Sequence, residues 1–132
     1  MSAHDDVTLF LRARGLADES VAAGAEGLVL RWEQAARDAE HERYPFGVED
    51  WLDELDGRQM LAEMIASIPG ALSGALTARL AEADSRVDAS TELAGECLWG
   101  AKMAKRMKWS PREHWWYWRR PRAVADDFEG GA

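Results

Sequence analysis

Between Val21 and Ala39 the apolar residues return every three or four positions: Val21, Ala25, Leu28, Val29, Trp32, Ala35, Ala36 and Ala39. An α-helix of 3.6 residues per turn gathers that spacing onto one face, and a strand does not. Glu26, Glu33, Arg37, Asp38 and Glu40 fill the intervening positions, so the other face is wet. Asp18 or Ser20 opens this helix, and Tyr44-Pro45-Phe46-Gly47 ends it, because proline disfavours helix in the residue before it. Gly24 and Gly27 each weaken a helix by about 1 kcal/mol relative to alanine, so one of them is expected at a close helix crossing.

The same reading extends along the chain. Asp5 or Asp6 caps a short helix over Val7–Arg14, with Gly15 as its C′ residue. Val48–Ile68 reads as one helix, or as two meeting at Asp56–Gly57, and Pro69–Gly70 is a firm break. Leu72, Leu76, Leu80, Ala83 and Val87 mark a helix over Ala71–Val87. Residues 88–98 read as a loop, and Ala101–Lys108 as one or two helical turns. Ser110-Pro111-Arg112-Glu113 has the form of a capping box with proline at the first helical position. It predicts a last short helix over Trp115–Arg119, stopped by Pro121. An extended Trp115–Trp118 is the alternative, since aromatic residues also favour strands. Residues 123–132 are expected to fray.

The expectation is therefore an all-α, single-domain bundle of four to six helices over residues 1–132, with an aromatic, basic C-terminal segment. Its core is expected to comprise Val21, Leu28, Trp32, Trp51, Leu55, Leu61, Ile65, Leu72, Leu76 and Leu80. A chain of 132 residues buries about two-thirds of its unfolded surface, enough for one core. A hydrophobic content of 47% and a charged content of 30% exclude intrinsic disorder. There is no apolar run of about 18 residues, and hence no expected membrane span. The N-terminal His4, Asp5 and Asp6 do not form a secretory signal, which leads us to expect a cytoplasmic chain. Cys97 is the single cysteine and reads as a small buried apolar residue rather than a nucleophile.

Charge is distributed unevenly. Residues 1–98 carry 8 basic and 20 acidic side chains, a net −12. Residues 99–122 carry 8 basic and 1 acidic, a net +7, together with five of the seven tryptophans and all three lysines. Residues 123–132 add 3 acidic groups, which gives the overall −8. The basic, indole-rich segment must dock on the acidic body or meet a partner. Trp115, Trp116, Trp118, Arg119 and Arg120 are its candidate partner-binding side chains, because Trp and Arg dominate interface hot spots.

The acidic cluster Glu49, Asp50, Asp53, Glu54 and Asp56 is the second candidate. Glu49, Asp53 and Asp56 share a helix face, as a hard divalent cation would need. Acidic residues at a helix N-terminus also simply oppose the macrodipole. A third reading of Glu49, Asp50 and Asp53 is an acidic face for a basic protein or for the chain's own tail.

Nothing else points to catalysis. His4, His41 and His114 lack metal-ligand spacing, no Cys/His pair exists, and neither common phosphate loop is present. A helix-turn-helix over Leu61–Leu80 would offer only Arg79 as a basic residue on its second helix. No cofactor and no metal is expected. The leading expectation is a small non-catalytic protein-interaction module, in its most concrete form an inhibitor or immunity-type partner of a basic protein. A nucleic-acid-binding or regulatory module using the tail is the alternative, disfavoured by the acidic body. A divalent-metal enzyme ranks last. Homo-oligomerisation stays open.

Overall fold

The computed structural model describes residues 2–122. Within them lie α1 (Ala3–Ala13), α2 (Asp18–Ala39), α3 (Val48–Ser67), α4 (Gly74–Ser90), β1 (Thr91–Leu93), α5 (Ala101–Met107), a 3-10 turn (Trp115–Trp118) and β2 (Arg119–Pro121). The fold is mostly helical, as the periodicity requires. The fraying expected for 123–132 lies outside the described residues.

Helix α1 starts earlier than Val7, because Ser2 is the cap. Its Oγ accepts from the Asp5 N–H at 3.2 Å, which moves Asp5 and Asp6 into the first turn, where the macrodipole favours them. Gly15 ends the helix with φ +77°. Its N–H donates to Arg12 O at 3.0 Å and the Leu16 N–H to Leu11 O at 3.3 Å, the paired bonds of a Schellman turn.

Helix α2 is central and packs on α1, α3 and α4. Trp32 is buried at 1% exposure, as its place on the stripe requires. The expected helix crossing at a glycine is corrected. Gly24 has φ +64° and ψ −149°, a conformation open essentially to glycine alone, and it breaks α2 internally. The close approach lies next to that break: a Cβ at Gly27 would sit 2.6 Å from the Cβ of Ala23, inside the same helix. Helix α2 stops at Ala39, before the Tyr44–Gly47 segment expected to end it. Tyr44 instead returns to the core, edge-on to Trp51 at 5.5 Å.

Helix α3 runs unbroken through Asp56–Gly57, so the two-helix alternative falls. One interior glycine costs about 1 kcal/mol, less than the packing on either side of it supplies. The Asp50 carboxylate accepts from the Gly47 N–H at 3.1 Å and closes the N-terminus of α3. Its buried residues are Trp51, Leu52, Leu55, Arg58, Leu61 and Met64. Ile65, expected in the core, is 43% exposed, because Met64 and Ile68 take the inward positions. Leu28, Leu72 and Leu76 are half-buried at the edge of the core rather than within it.

Helix α4 is shifted three residues toward the C-terminus from its expected span. Ser73 Oγ accepts from the Leu76 N–H at 3.1 Å and so fixes the start at Gly74. The segment 88–98 is not all loop. Thr91, Glu92 and Leu93 pair antiparallel with Pro121, Arg120 and Arg119. This ladder needs a partner from the far end of the chain, so local sequence does not announce it.

Candidate functional site

The basic segment divides in two, and the aromatic half docks. Its anchor is an ion pair inside the bundle. Arg58 Nε and Nη2 donate to the two oxygens of Asp84 at 2.9 and 3.0 Å. Asp84 Oδ1 also accepts from Trp32 Nε1 at 2.8 Å. The Arg58 guanidinium lies 4.3 Å from the ring centroid of Trp116. One charge pair thus joins α2, α3, α4 and the tail. Such a pair is costly to break, because Arg58 left alone is a buried, uncompensated charge.

A second clasp is Asp56, whose Oδ1 accepts from Tyr117 Oη at 2.8 Å and from Trp99 Nε1 at 3.0 Å. Burial first, and then the Asp56 carboxylate, push the Tyr117 phenol well above the ordinary tyrosine range. Its ring stacks on Trp109 at 3.9 Å. Trp51 Nε1 donates to Arg119 O at 2.9 Å, and Arg119 Nη2 donates to Thr91 O at 2.7 Å and Asp88 O at 2.9 Å. The N–H groups of Ala94 and Leu98 donate to Trp118 O and Tyr117 O, both at 2.8 Å.

The expected last helix is corrected in form. Ser110 Oγ accepts from the Glu113 N–H at 3.2 Å, but His114 Nδ1, not the Glu113 carboxylate, accepts from the Ser110 N–H at 3.1 Å. That closes a turn. Trp115–Trp118 then makes a single 3-10 turn, and Arg119–Pro121 is extended. The helical and the extended readings each hold for part of the segment.

The candidate residues meet different fates. Trp116 is 3% exposed, so its ring is occupied inside the molecule rather than offered to a partner. Trp115 and Trp118 are half-buried against the core, Trp115 edge-on to Trp116 at 5.8 Å. The Arg119 side chain is directed into the strand pair, and Arg120 pairs with Glu92 at 2.9 Å. Asp50 faces a small cleft of about 280 Å³ beside Arg31, Tyr44 and Glu54. In that cleft, burial raises the Glu54 carboxyl above its ordinary range, against the pull of Arg31.

Glu49, Asp53 and Arg120 come together in a groove of about 710 Å³ between α3 and residues 94–100. Val48, Leu52, Glu96, Cys97, Leu98 and Trp99 also line it. Cys97 is buried, and that burial raises its thiol above the ordinary range, so it serves as a neutral apolar surface. Glu49, Asp53 and Glu96 form no ion pair with a described residue. Among the described residues no three His, Cys, Asp or Glu side chains are placed to hold one metal ion. Asp56, the third carboxylate of the helix face read for a cation, is engaged by Tyr117 and Trp99.

Sequence reasoning missed the Arg58–Asp84 pair. The signal was present: Arg58 stands three residues from both Leu55 and Leu61, a charge on an apolar stripe. No described helix is long and apolar enough to cross a membrane. No family model matches the chain, and no curated protein or solved structure shows significant similarity to it.

Proposed function

We propose that this chain is a non-catalytic interaction module whose acidic groove receives a basic segment of another protein. An inhibitor that covers a basic site on its target is the most concrete form. The observation that carries the reading is the pairing of chemistries in the groove. Glu49, Asp53 and Glu96 stand exposed on its rim, and Leu52, Leu98 and Trp99 supply apolar surface between them. A cationic side chain with a long aliphatic stem suits both parts at once. Unpaired carboxylates also steer a basic partner toward the groove and repel acidic competitors.

The test is charge reversal. Glu49→Lys with Asp53→Lys should leave the fold intact, since both side chains are exposed. Affinity capture from the native cell, followed by titration of the purified partner, should show the wild-type chain binding a basic protein. The variant should bind it at least about tenfold more weakly, a difference of about 1.4 kcal/mol. Equal binding by the two chains would rule this groove out as the docking surface.

A further inference from the structure

The structure leaves a second charged surface that this reading does not use. Arg119 and Arg120 pair with the body, but Lys102, Lys105, Arg106, Lys108 and Arg112 do not. All five are exposed, and none forms an ion pair with a described residue. Arg106 reaches only the Met103 thioether, at 3.4 Å. At 100° per residue, Lys102, Lys105 and Arg106 fall on one face of α5, and Met103, Ala104 and Met107 fall on the other. Ala104 is buried, so the cationic face is turned outward. The patch is fixed to the fold. Lys108 adopts φ +61°, the Trp109 N–H donates to Ala104 O at 2.9 Å, and Trp109 stacks on the docked Tyr117.

We infer that this face is a binding surface for the phosphate backbone of single-stranded nucleic acid. A protein interface of useful strength needs an apolar anchor at its centre, and the one exposed large apolar side chain of α5, Met107, falls outside the Lys102–Lys105–Arg106 face. A membrane-surface helix would present a broad apolar face, and here Ala104 is buried and Met103 half-buried, which leaves Met107 as the one exposed large apolar side chain of a seven-residue helix. A polyanion needs only a row of cations, and lysine acts on phosphate as a point charge. The half-buried Trp109 supplies an aromatic beside the row for a base to approach. The acidic body makes the contact local and strongly dependent on salt.

The experiment uses the full chain and a fluorescent oligothymidylate of about 20 nucleotides, longer than the strand one small domain covers. Fluorescence anisotropy at low salt should show saturable binding. Five contacts set an upper slope of about −3.5 for log K against log salt on a single strand. Lys105→Glu with Arg106→Glu, and separately Lys105→Gln with Arg106→Gln, should each weaken binding at least about tenfold while melting unchanged. Glu49→Lys should not weaken it, which separates this surface from the groove. Absence of binding at low salt, or binding that ignores both double variants, would overturn the inference. So would binding to anionic vesicles but not to the oligonucleotide. Self-association of the chain that disappears in the double variants, with no oligonucleotide bound, would transfer the face to a second copy.

Discussion

Residues 101–113 and 115–121 are both basic and adjacent in the chain, yet they meet opposite fates. The first carries five cations and one tryptophan, the second two cations, three tryptophans and a tyrosine. The second lies against α3 and β1, with Trp116 and Tyr117 buried and both arginines paired. The first keeps its cations in solvent. Opposite charge is available to both, since the body is strongly acidic. What differs is apolar area. Each large aromatic buries about 150–250 Å², which at about 25 cal/mol per Å² far exceeds an exposed ion pair of at most about 1 kcal/mol. Indoles decide which arginines pair, and the pairing follows from the docking.

That contrast is most severely tested at Trp116 and Asp84. Trp116→Ala should destabilise the chain by about 3–5 kcal/mol in equilibrium denaturation, as large aromatic deletions in cores do. Asp84→Ala should cost about as much, 3–5 kcal/mol, because Arg58 is left buried without its partner. A loss below about 1 kcal/mol in either variant would show that the tail rests on the surface.

A smaller effect is expected at Asp56. Asp56→Ala removes the acceptor for the Tyr117 hydroxyl and the Trp99 indole. Melting should report a loss of about 1–3 kcal/mol, the usual consequence of leaving a buried donor unsatisfied. The fluorescence of Trp99 should change in the same variant. An unchanged melting curve would mean that ring packing alone holds the tail.

The smallest effect concerns ion pairs away from the tail. The Arg79 hydrogen bond holds the Glu33 carboxyl below its ordinary value of 4.5, and Arg86 does the same for Glu40. Both folded values lie below the unfolded ones. Their stabilisation is therefore present above the ordinary carboxylate range and is lost as pH falls through the folded values. Glu54 runs the other way: its raised value costs stability as pH rises through it, so acidification relieves that cost. The melting-temperature gap between the wild-type chain and Glu33→Gln with Glu40→Gln should close on acidification. A gap that stays constant with pH would show that these pairs contribute no charge interaction.

Much of the fold was legible because it is local. The stripe through Val21 and Trp32 named α2, Gly15 named the end of α1, and Pro69–Gly70 named the break after α3. What the sequence withheld depended on distant partners. Thr91–Leu93 has no strand signal of its own and becomes a strand only against Arg119–Pro121. Ile65 and Met64 are equally apolar, and only the packing angle of α3 chooses between them. Of the groove, Glu49, Asp53 and Arg120 were in view as charges. Their convergence was not, because docking of the tail brings Arg120 to α3.

Native-state hydrogen exchange on the intact chain tests most directly whether residues 115–121 belong to the folding unit. The Ala94 and Leu98 amides each donate to a tail carbonyl at 2.8 Å, so their protection reports the docked state. They should exchange as slowly as the amides of α2 and α4, through global unfolding. The amides of Lys105 and Arg106 in α5 should exchange faster, through local opening. If Ala94 and Leu98 exchanged as fast as Lys105, the tail would be an appendage and the contrast between its two halves would collapse.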